Sequence, residues 1–198
     1  VWSTDINGSL TYIETTGAHR AGPALKSPWG GHHYGIAVDA DGQIWLAGWD
    51  HGRVLRYRPD RTNFTSLKSG TWSRFNMPGG VHTRGIAVDG RDKVWVAIHE
   101  GSVVSIDRRL PDGVHNLSNT KNRWSVKAST VIGVGVDFNG HIWAIGQGND
   151  TASRIEVDAK GTVLTPSVSQ QKTVKVGRNP YTYSDFTGYG LINFVRPS

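Results

Sequence analysis

Cysteine is absent from all 198 residues, which excludes disulfides and any chemistry carried by a thiolate. Methionine occurs once, and no apolar run approaches the roughly 20 residues that a membrane-spanning helix needs. No basic-then-apolar signal region opens the chain. It begins with Val1 rather than Met, so an upstream segment is expected to have been removed. Long stretches of helix formers are also missing. In their place stand 25 glycines and 8 tryptophans, residues that serve positive-φ turns and pleated surfaces. The class expected is all-β.

The net charge of +6 and the isoelectric point near 9.7 could favour anionic partners. However, the 22 Lys and Arg are spread along the chain, with no longer run than the pair Arg108–Arg109. That pattern predicts a solvated mixed surface rather than a specific nucleic-acid interface.

One phrase is written three times: YGIAVDADGQIW from Tyr34, RGIAVDGRDKVW from Arg84 and IGVGVDFNGHIW from Ile132. Its aspartates, Asp39, Asp89 and Asp137, are 50 and 48 residues apart, and each precedes a tryptophan by six, at Trp45, Trp95 and Trp143. A weaker copy, YTYSDFTGYGLI, puts Asp185 a further 48 residues on, with Gly188 and Leu191 in the glycine and tryptophan places. Alternating with these are segments ending at Asp5, Asp60, Asp107 and Asp158. Each unit then holds four short strands: A (GIAVD), B (QIWLAG), C (RVLRYRP) and D (TSLKSGTWSRF). Four antiparallel strands in a repeat of about 40 to 50 residues describe a β-propeller blade.

Counting strands gives C and D at the start, three full units, then A and B. The whole of 1–198 reads as one propeller domain of four blade-equivalents. Pairing of 191–195 with Val1–Asp5 would close the ring and cover the edges. A fragment of a larger propeller, or a half-ring completed by a second copy, gives the same count.

The stretch GIAVDADGQIWLAGWDHGRVLRYRP resembles the repeat of the NHL and virginiamycin B lyase-like propellers. The resemblance implies the propeller fold, and it spans lyases, lactonases and pure binding scaffolds. It also implies a metal and an acid-base histidine at the channel mouth, on strand-B ends and strand-A approaches. At the strand-B ends, LAGWDHG, VAIHEG and AIGQGND lack the glutamate of the lyase pattern. Glu100 beside His99 is the one carboxylate near the right place, with Asp50 and His51 as its counterpart.

His32 and His82 each stand three residues before the repeat glycine, Gly35 and Gly85, where the third unit has Thr130. Neighbouring blades should bring them to one mouth. With His99 they could bind a divalent ion, or simply hydrogen-bond the rim. The Asp-x-[Asp/Asn]-Gly stretches at Asp5, Asp39 and Asp137 open like calcium loops but lack the downstream glutamate, so tight hairpin turns are expected. Trp45, Trp95 and Trp143 read as inter-blade packing, and Trp29, Trp72 and Trp124 as outer-strand or inter-blade packing. Trp49 is not demanded by the repeat, because His99 and Gln147 replace it in the other units. It is a candidate platform for a flat ligand.

Asn-x-Ser/Thr occurs at Asn7, Asn63, Asn116 and Asn149, yet the repeats look bacterial, and an exported protein without glycans, secreted or periplasmic, is expected. Two functions follow. A binding module would hold a carbohydrate or other small polar ligand at Trp49, Tyr34, His32, His82 and His99, with no cofactor. A metal-dependent lyase or lactonase would use His82 or His99 as base and His82, His99 and Glu100 around a divalent metal. The absence of repeated carboxylates favours binding over catalysis.

Overall fold

The computed structural model describes residues 1–117 and 120–181. Among these residues, runs of β-branched and aromatic side chains, punctuated by Gly and Asp turns, form sixteen strands in four sheets. The first sheet has β1 (Trp2–Thr4), β2 (Ser9–Tyr12) and β3 (Leu25–Lys26). The second has β4 (His33–Val38), β5 (Ile44–Gly48), β6 (Arg53–Pro59) and β7 (Gly70–Asn76). The third has β8 (Thr83–Val88), β9 (Lys93–Ile98), β10 (Ser102–Asp107) and β12 (Arg123–Ser125). The fourth has β13 (Val131–Val136), β14 (Ile142–Gly146), β15 (Thr151–Ile155) and β16 (Lys172–Lys175). Each of the last three sheets carries strands A to D in antiparallel order, which is the blade of a β-propeller.

The repeated Asp–Trp pair builds the A–B hairpin. Asp39 Oδ1 accepts the backbone N–H of Asp41 and Gln43 while Oδ2 accepts Trp45 Nε1. Asp89 and Asp137 do the same for Trp95 and Trp143. A six-residue spacing is thus a turn closed by its own carboxylate.

Trp45 packs with Phe75 and, across the interface, Ile86 and Val96; Trp95 packs with Val134, Val136 and Ile142. Strand-A residues alternate as expected: Ile36 and Val38 face the first sheet, Ala37 the third. Trp143, in the same register, faces beyond the fourth sheet with Ile132, Ile145 and Val174. Trp29 and Trp72 pack between the first two sheets, and Trp124 lies against Trp95 at 5.5 Å. Among the described residues, buried clusters fill the three interfaces from first sheet to fourth, and none joins the fourth to the first.

Three corrections to the strand count follow. The chain opens with three strands rather than two. The Asp5–Ser9 turn matches a B–C turn, because Gly8, at φ +77°, abuts the Gly31 carbonyl as Gly52, at φ +51°, abuts that of Val81. The first sheet therefore supplies the B, C and D positions. In the second sheet, strand D begins at Gly70, since Thr65–Lys68 is a 3-10 turn whose start is capped by Asn63 Oδ1. Finally, the C–D connection of the third blade contributes β11 (Val114–Asn116), a parallel fifth strand on β7. The closing strand 191–195 and the fourth copy of the phrase at Asp185, Gly188 and Leu191 lie outside the described residues.

Buried Arg56 makes that fifth strand possible. Its guanidinium donates to the carbonyls of Arg108, Leu110 and Pro111 and pairs with Asp112 at 2.9 Å. The loop between β10 and β11 is thereby fastened to the second sheet.

Candidate functional site

Strand-A starts and B–C turns meet at one end of the propeller, and they carry the candidate residues. The turn after β5 places Trp49, the turn after β9 places His99, and Trp49 N–H donates to the His32 carbonyl as His99 N–H does to that of His82. One residue further on, each turn presents an acid that reaches back. Asp50 Oδ1 accepts His32 N–H at 3.1 Å and Oδ2 meets His32 Nδ1 at 2.9 Å. Glu100 accepts His82 N–H at 3.2 Å and meets His82 Nδ1 at 2.6 Å. In the fourth sheet Asn149 plays this part, accepting Ser129 N–H at 2.9 Å. The two histidine–carboxylate pairs are therefore one structural device in adjacent blades.

Trp49, Tyr34, His82 and His99 converge. The Trp49 ring lies 4.4 Å from His82, 5.4 Å from His99 and 6.3 Å from Tyr34, centre to centre. Arg84, which the sequence reading did not single out, lies at their centre: its Cζ is 4.2 Å from the Trp49 ring centre and 4.9 Å from that of Tyr34. Arg84 Nη1 donates to Tyr34 Oη at 3.0 Å and to Tyr181 Oη at 3.4 Å, and the two tyrosine hydroxyls are 2.5 Å apart. Arg84 occupies in β8 the place of Tyr34 in β4 and Ile132 in β13, directly before the repeat glycine. The repeated phrase begins with a different residue each time, Tyr, Arg or Ile, and that variation at a kept position was the signal.

Trp49 is half-buried, and its ring is flanked by Arg84 and His82 rather than standing free as a bare platform. His32 joins the group through backbone, its imidazole turned to Asp50. Burial, with the charge of Arg84, holds His99 below the ordinary imidazole value, so it is neutral at neutral pH. Burial would raise Glu100, but the hydrogen bonds from the His82 side chain and backbone outweigh it and leave its carboxyl lowered. Burial and the bond to Tyr181 push Tyr34 up to about 12, so its phenol stays neutral.

Among the described residues no three His, Asp or Glu side chains form a group that could hold a metal ion. His82 gives Nδ1 to Glu100, and the Arg84 guanidinium is the fixed positive charge of the cluster. Such a donor set suits an acceptor-rich or anionic ligand and opposes a second cation.

No protein-family model matches the chain, and no curated protein matches it. Solved structures do. Virginiamycin B lyase from Staphylococcus aureus superposes with a TM-score of 0.66 at 13% identity, over 95% of this chain and 57% of that one. A catalytically inactive form of that lyase with quinupristin gives 0.60 at 14%, over 82% and 50%. The extracellular domain of a one-component system from B. thetaiotaomicron gives 0.57 at 17%, over 82% and 22%. The likeness to these structures shows the β-propeller fold. The chain spans about half the length of the lyases it matches.

Proposed function

We propose that the protein is a ligand-binding β-propeller module that takes a carbohydrate or other small polar ligand at the mouth built by Trp49, Tyr34, His82 and His99, with His32 at its edge. The observation that carries this is the convergence, from two neighbouring blades, of three aromatic or imidazole side chains and Arg84 around Trp49. Rings supply flat apolar contact, while Tyr34, His82 and His99 offer hydrogen-bonding edges. Extracellular domains among the similar structures support a place outside the cytoplasm, secreted or periplasmic.

Ordering costs offset much of the contact energy of so small a site, so affinities on the order of micromolar to millimolar are expected. Titration of a saccharide panel, followed by tryptophan fluorescence, tests the proposal. Binding should vanish in Trp49→Ala with the circular dichroism unchanged. Stoichiometric divalent metal in the purified protein, lost on replacing His82 or His99, would instead favour the lyase or lactonase alternative with Glu100 as a ligand.

A further inference from the structure

Arg84 is a half-buried cation that makes no ion pair with an acid among the described residues. Largely buried Arg56, Arg91, Arg108 and Arg154 each hold a carboxylate, of Asp112, Asp89, Asp41 with Asp92, and Glu156 respectively, while buried Arg53 donates to the Gly30 carbonyl and Arg74 lies over the Trp29 ring. Among the described residues Arg84 forms no such pair. Its hydrogen bonds go from Nη1 to two tyrosine hydroxyls, and its Nε is buried without a partner. His99 Nδ1, in the same cluster, is also buried and unpartnered. The acids of the mouth are engaged by histidines: Asp50 meets His32 and Glu100 meets His82. Neutral Tyr34 cannot balance the charge either.

A guanidinium pressed between aromatic rings and short of an anion is partly stripped of water, and a charge-assisted bond to an oxyanion recovers more there than at an open surface. We infer that the ligand of this mouth is a saccharide carrying an oxyanion, carboxylate or sulfate, and that Arg84 receives the charged group while the Trp49 cluster takes the ring. This rests on the binding-module function proposed above. Arg84 Nη2 makes no hydrogen bond to the described residues and is the atom left to receive the group.

The test uses the full chain and three probes, glucuronate, glucose 6-sulfate and glucose, titrated at low and high salt. An acidic probe should bind on the order of ten-fold more tightly than glucose, and the advantage should shrink as salt rises. Preference for glucuronate alone identifies a carboxylate receptor, and preference for the sulfate identifies a sulfate receptor. Arg84→Gln should erase the preference between acidic and neutral probes, and Arg84→Lys should restore part of it. If Arg84→Gln fails to fold, the salt dependence of the unaltered protein still decides. Equal affinity for all three probes overturns the inference and leaves the binding module standing, whereas no binding by any of them overturns both.

Discussion

Trp95 and Asp89 are joined by a 2.9 Å hydrogen bond from the indole Nε1 to a carboxylate oxygen that is itself out of contact with water. The same carboxylate accepts the backbone N–H of Arg91 and Lys93 and ties the A–B hairpin of the third blade. Removing it strands three buried or half-buried donors. Asp89→Ala should therefore lower stability by about 3 kcal/mol or more in urea unfolding. A loss under about 1 kcal/mol would show that water can replace the carboxylate.

Two tryptophans should behave oppositely. Trp95 is fully buried between the third and fourth sheets, so Trp95→Ala leaves a cavity and should cost roughly 3–5 kcal/mol. Trp49 sits at the mouth, half-buried, and Trp49→Ala should remove ligand binding at a much smaller cost in stability. Parallel denaturation and binding curves compare them directly. Equal destabilisation would make Trp49 another packing residue.

Acid should weaken the fold through His33. Its imidazole is buried, with Nδ1 on Thr4 Oγ1 and Nε2 without a partner, and burial holds its pKa down to about 4. The unfolded chain takes up this proton near pH 6.5, and the folded chain only near 4. Stability is thus complete above about 6.5 and falls as pH drops towards 4, by roughly 3 kcal/mol from this group. Urea midpoints at pH 7, 5.5 and 4.5 measure it, and His33→Asn should flatten part of the slope. His99, also lowered, acts in the same direction.

Arg56 fastens β11 to the second sheet through three carbonyls and Asp112. Arg56→Met should free those carbonyls and release Val114–Asn116 from β7, seen as fast amide exchange confined to residues 108–117. Global unfolding of the whole chain by this change would instead mean that Arg56 supports the core between Trp45 and Phe75, whose rings lie about it at 5.4 and 5.5 Å.

Gly52 marks the B–C turn of the second blade at φ +51°, and a Cβ there would stand 2.8 Å from the Val81 carbonyl oxygen. Gly52→Ala should cost more than the roughly 1 kcal/mol of ordinary glycine replacement, because backbone strain and a backbone clash combine. Because the turn carries Trp49 and Asp50, ligand affinity should fall with it. Thermal melts and the saccharide titration read both effects.

Repetition made the blade legible from residues alone. The Asp–Trp spacing of six is a bond within one hairpin, and the alternation of Ile86 and Val88 or Val134 and Val136 is a property of one strand, so both leave a mark in the order of residues. The positions of His32, His82 and Trp49 relative to the repeat were equally local, which is why they could be named as candidates. What the tertiary structure alone decided lies between blades. Arg84 meets Trp49 and Tyr34 across about 35 to 50 residues of chain because strand-A starts of adjacent sheets lie side by side, and no short-range pattern encodes which neighbour's turn a side chain will reach. The parallel β11 and its clamp at Arg56 come from a loop folding back on the preceding blade, where burial of one guanidinium sets the path. The extra opening strand was likewise invisible as a B position, since Trp2–Thr4 is too short to carry a period of its own and takes its place from packing on β4 and from the close contact of Gly8 with Gly31.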